Sequence, residues 1–93
     1  MKLDLVTTQT WNAYDRAIQH LVAQRRFLNA GDLHAAAQRA IPCQRDIATV
    51  DQHRDVIPLR LREAMWRISC QVLDMMNARI AERQMARTDS RDV

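Results

Sequence analysis

The sequence predicts an all-α protein: a small three-helix bundle, or a long helical hairpin with a packed first helix, with neighbouring helices antiparallel. Two observations carry this expectation. The chain has one glycine and two prolines, far too few turn residues for a sandwich or barrel. Its apolar residues recur at three and four over long stretches, the spacing that gathers side chains on one face of a helix. Ninety-three residues make a single domain, 1–93, with a modest core and little room for a deep cleft. A hydrophobic share of 47% and a charged share of 27% are those of a folded chain and exclude global disorder.

The first helix is expected over residues 8–30, after a loose lead-in at 1–6. Thr7, Thr8 and Thr10 offer hydroxyls for its N-terminus, and Trp11, Tyr14, Ile18, Leu21, Val22 and Leu28 form its stripe. Arg25 interrupts the stripe, with an aliphatic stem that can pack while its head reaches water. The single glycine, Gly31, stands where a helix C-cap belongs. Asp32 then caps a second helix, 32–53, whose stripe is Leu33, Ala36, Ala37, Ala40, Cys43, Ile47 and Val50. Pro42 lies inside it. Proline removes a backbone hydrogen bond and kinks a helix, yet the period continues through it in phase, so one kinked helix is expected, with a break near Ile41 as the alternative. After the turn Gln52-His53-Arg54-Asp55, Asp55 is the expected cap of a third helix over 56–86, with Pro58 in its first turn. Residues 88–93 are polar and expected to fray.

The third helix carries more apolar surface than one core needs. One stripe is Leu61, Met65, Ile68, Val72 and Met75. A second is Leu59, Trp66, Leu73 and Ile80, each seven apart, with Cys70 beside them. A helix packed on one core needs an apolar arc of little more than ~100°. Two readings follow. Either this helix is the centre of a tight bundle, or one stripe faces the core and the other a partner. In the second case Leu59, Trp66, Cys70, Leu73 and Ile80 are the protein interface, and the seven-residue spacing suits a partner helix or a second copy of the chain. Four of the five methionines lie on this helix (Met65, Met75, Met76 and Met85). Thioethers fill core gaps and also suit adaptable surfaces.

Catalytic and metal-binding patterns do not emerge. His20, His34 and His53 sit one per segment and read as surface imidazoles, and no Cys/His cluster has zinc spacing. Asp15, Asp46, Glu63 and Asp74 read as solvated carboxylates. Cys43 and Cys70 fall at one level of a hairpin folded near residue 56, where they could face each other as buried thiols or form a disulfide under oxidation; plain core packing is the preferred reading. No cofactor is implied and the chain is not expected to be an enzyme. The charge of +3 comes with 13 arginines, one lysine and 11 interleaved acids. Arg54, Arg60, Arg62 and Arg67 are the candidate nucleic-acid patch, interrupted by Asp55 and Glu63. No secretory leader or membrane-length apolar run is visible. The expected setting is the cytoplasm, with reduced thiols.

The layout is similar to that of the small helical export chaperones of flagellar and type III secretion systems. Leu28-Asn29-Ala30-Gly31-Asp32-Leu33 looks like an interhelical turn of that class. The resemblance covers six residues and a helix pattern, and no functional residue is carried over from it. It implies a helical hairpin or bundle that shields a partner's amphipathic helix. Small phage- or plasmid-type inhibitors that cap a host protein fit the same profile. The functional expectation is a non-enzymatic protein-binding module acting through the third helix. A homodimer through the same face is compatible with it. A basic nucleic-acid-binding regulator is the alternative.

Overall fold

The computed structural model describes the backbone of residues 2–91 and the side chains of residues 5–87. Within them are three helices: α1 (Lys2–Asn29), α2 (Leu33–Gln52) and α3 (Leu59–Arg91). The protein is a three-helix bundle, as the scarcity of turn residues requires.

The first turn follows the chemistry of its sequence. Gly31 adopts φ +79°, a left-handed conformation that costs glycine nothing. The Gly31 and Asp32 amides donate back to the Leu28 and Phe27 carbonyls, which closes α1. The Asp32 carboxylate then accepts from the Ala35 amide at 3.0 Å, satisfying one of the orphan donors at the start of α2. α2 runs unbroken through Pro42.

Three expected boundaries need correction. α1 begins at Lys2 rather than near residue 8, so 2–6 are not a loose lead-in. Thr10 does not cap. Its hydroxyl is buried and donates to the Val6 carbonyl one turn earlier at 2.7 Å. α3 begins at Leu59, three residues later than expected, and Asp55 lies in the preceding turn. A proline disfavours helical geometry in the residue before it, so the helix starts from Pro58, whose carbonyl accepts from the Leu61 and Arg62 amides. Ile57 is thereby turned into the core, 1% exposed. At the other end α3 continues to Arg91, beyond the expected stop. The expectation of loose ends at Met1 and at 92–93 falls outside the described residues.

α1, not α3, is the hub. It packs most extensively on α2 and also holds α3, while α2 and α3 touch least. The core is Ala13, Ala17, Leu21 and Leu28 from α1, Ala36, Cys43, Ile47 and Val50 from α2, then Ile57, Met65 and Val72. Small alanines at the α1–α2 seam let these helices approach closely. Gln24 is buried where all three meet. Its amide donates to the Ala36 carbonyl on α2 and approaches the Met76 sulfur on α3.

The helices are staggered. α1 runs antiparallel to α2, with Arg16 level with Asp46 and Gln24 level with Ala36. It runs parallel to α3, with Tyr14 at Leu61 and Gln24 at Met76. At ~1.5 Å per residue the longest helix spans about 50 Å, yet the molecule measures 66 × 21 × 19 Å. Its radius of gyration, 16.5 Å, exceeds the ~13 Å of a compact 100-residue domain. One end of α1 and the opposite end of α3 project past the shared core.

Candidate protein interface

The two stripes of α3 have separate fates. Met65 and Val72 are buried, with Leu61, Ile68, Met75 and Met76 half-buried beside them. This stripe is the one that α1 covers. The second stripe lies outside the core. Leu59 is 59% exposed, Trp66 46%, Leu73 57% and Ile80 40%. Cys70 is exposed as well. α3 is therefore not the centre of a tight bundle with all its apolar surface consumed. Four large apolar side chains stand in a row on its free side.

The row has a defined relief. Glu63, Trp66, Arg67, Cys70 and Gln71 border a shallow depression on the outer face of α3. Near the far end, Ile80, Arg83 and Arg87 form a groove with Leu33 at the start of α2. Ile80 is the least exposed of the four because α2 begins beside it. Leu59 and Leu73 are the most exposed of the row.

The two thiols do not face each other, contrary to expectation. Cys43 is buried, its thiol 3.8 Å from the Ala17 carbonyl, while Cys70 points outward on α3. The hairpin reasoning failed because α2 is paired with α1 rather than with α3. Burial, reinforced by the nearby Asp46 carboxylate, pushes the Cys43 thiol up to about 11, so it stays protonated and unreactive.

Asp46 and His20 also depart from the sequence reading. Asp46 is 8% exposed, not a solvated carboxylate. It pairs with the Arg16 guanidinium at 3.1 Å, and His20 lies 3.8 Å away on its other side. His20 in turn meets Arg39 at 3.2 Å. This cluster clips α1 to α2. An acidic residue on α2 at the level of a basic one on α1 was the available signal, but it becomes visible only once the register is known. Among the described residues, no group of three His, Cys, Asp or Glu side chains could hold a metal ion.

The four arginines of the expected patch do not share one face. Arg54 lies in the turn before α3 and Arg60 and Arg67 on its exposed surface. Arg62 projects elsewhere and donates Nε to the Ile57 carbonyl at 3.0 Å, capping the turn below it. At ~100° per residue, Arg60 and Arg67 share a face with Glu63 and Asp74. Acid and base alternate there, and no continuous basic surface forms. Among the described residues, no helix is long and apolar enough to cross a membrane.

The site must be read on its own chemistry. No family model, curated protein or solved structure matches this chain. What the geometry provides is an apolar row on a single long helix, edged by charges.

Proposed function

We propose that the protein is a non-enzymatic binding module that receives a partner's helix along the outer face of α3. The observation carrying this reading is the exposure of Leu59, Trp66, Leu73 and Ile80 together, in register, on one helix. Monomeric proteins rarely leave contiguous apolar patches larger than a few hundred Å² open to water. Tryptophan is the residue type most enriched where binding energy concentrates. Seven-residue spacing on a straight helix is the pattern another helix can follow. An adaptor, an export chaperone and an inhibitor of a partner protein all use such a face, and the reading here is what they share.

The test is affinity capture from lysate of the source organism with the wild-type chain and with Trp66→Ala and Leu73→Asp, before and after nuclease treatment. A stoichiometric protein held by wild type, resistant to nuclease and lost with both variants is the expected result. Both positions are exposed, so far-UV circular dichroism of the variants should match wild type. Recovery of nucleic acid, with capture that falls steeply as salt rises, would instead make Arg60 and Arg67 the functional surface.

A further inference from the structure

We infer that the outer face of α1 holds a second binding site, one that takes a single-chain amphipathic carboxylate such as a medium-chain fatty acid. The site shares no residue with the α3 row and does not depend on the reading of that row.

An open groove of about 460 Å³ runs along α1, a volume within the ~300–1,000 Å³ of small-molecule sites. Its apolar walls are Ile18, Val22, Ala23 and Phe27, each half-buried rather than consumed by the core. From Ile18 to Phe27 the helix rises about 14 Å, a length that suits one extended alkyl chain. The polar groups at the groove are Gln19, Arg26 and Arg39. No acidic side chain lines it, whereas acid and base alternate along the outer face of α3. Two guanidiniums over an apolar floor, with no counter-charge among the lining residues, call for a ligand with an apolar body and an anionic head.

Arg26 stands in the last turn of α1, where a cation also complements the negative end of the helix. That role accounts for Arg26 but not for Arg39, which reaches the groove from α2 and is held there from behind. Arg39 lies 3.2 Å from His20 Nδ1. A guanidinium can only donate, so Nδ1 accepts and the imidazole proton sits on Nε2, which faces the Asp46 carboxylate at 3.8 Å. Asp46 is buried and fixed in turn by Arg16 at 3.1 Å. The series Arg16, Asp46, His20 thus anchors one edge of the Arg39 fork. Its other N–H groups meet no acceptor among the described residues. A carboxylate engages such a fork bidentately, and a fork already oriented loses less freedom when it binds. Arg39 is therefore the head-group residue, Arg26 a flanking charge, and His20 a positioning residue that acts through Arg39.

The experiment is isothermal titration calorimetry of the full chain with sodium decanoate below its micelle concentration, beside decanol, decyltrimethylammonium and acetate. Decanoate is expected to bind saturably, and the alcohol, the cation and acetate each about tenfold more weakly or less well still. Arg39→Gln, at an exposed position, should weaken decanoate by about tenfold or more and leave decanol where it was. His20→Leu should narrow the preference for acid over alcohol without changing the alcohol's affinity, which a loss of packing alone would not do. Ala23→Leu, which fills the groove, should weaken acid and alcohol alike. Trp66→Ala and Leu73→Asp should leave decanoate binding as in wild type. Absence of binding, equal affinity for decanoate and decanol, or indifference to Arg39→Gln would overturn the inference. Acetate bound as tightly as decanoate would reduce the site to an anion contact without a groove. Binding lost with Trp66→Ala would move the ligand to the α3 row and remove the α1 site. Sedimentation with phosphatidylglycerol vesicles, without binding of the free acid, would make α1 a membrane-facing surface and overturn the small-molecule site.

Discussion

At the scale of single residues, the chain separates two cysteines that its sequence presents alike. Both follow apolar periodicity on long helices. Only the packing of α1 against α2 encloses Cys43 and leaves Cys70 on the free side of α3. Reagents that attack thiolates should therefore modify one thiol in the native protein and two in denaturant, with Cys70→Ser abolishing the fast one. The same burial has a consequence for stability. Folding holds Cys43 protonated to about 11, against an ordinary thiol value of 9.0, so above about 9 the unfolded chain releases a proton that the folded chain keeps. Stability should thus fall as pH rises from 9 to 11. Tyr14, also raised by desolvation and by Asp15, adds to the decline above its ordinary 10.0. Urea midpoints across this range should drop less steeply in Cys43→Ala than in wild type. An equal slope would mean that Cys43 ionises alike in both states. Polar residues were the least legible. Gln24 and Asp46 are buried because partners on neighbouring helices receive them, and a linear sequence does not show those partners.

Helices and turns were easier to read, although α1 begins earlier and α3 ends later than their stripes suggest, and the start of α3 was misplaced at a proline. Gly31 and Asp32 act locally, so their roles were visible in six residues of sequence. Pro58 also acts locally, but as the start of α3 rather than as a member of its first turn, and it drew Ile57 into the core. Pro42 is the harder case, since the alternative of a break there is decided by packing. α2 stays continuous because Ala36, Cys43, Ile47 and Val50, on both sides of the proline, sit in the same core against α1. The helix tolerates the loss of the donor that position 42 would otherwise offer to the Gln38 carbonyl. Pro42→Ala should return that hydrogen bond and relieve the ring's clash with the preceding turn, raising stability by about 1–3 kcal/mol. Urea denaturation would report it as a higher midpoint at unchanged slope. No gain would show that packing around the half-buried ring already offsets its cost.

At the scale of the whole molecule, the sequence showed that α3 has two apolar faces, but not which one the bundle uses. That choice depends on the hub, and the alanines of α1 decide it by letting α2 come close and leaving α3 on the flank. Burial is accordingly uneven along the 66 Å length. Among the described residues, α1 and α2 supply eight of the eleven buried apolar side chains, whereas α3 supplies Met65 and Val72 and none after Val72. Backbone amides open in order of how much packing must be broken to release them. Hydrogen exchange should therefore be slowest at the centre of α1 and α2, around Leu21 and Ile47, intermediate in α3 near Met65, and fastest beyond Ile80. A partner's helix seated on the row would change only part of this order. Amides from 59 to 84 would gain protection as the partner's concentration rises, because association stabilises what it binds by mass action. Those past 85 lie beyond the row and would stay fast at every concentration. Uniform protection along α3, equal to that of α1 and independent of concentration, would mean that the three helices open as one unit and that nothing covers the row.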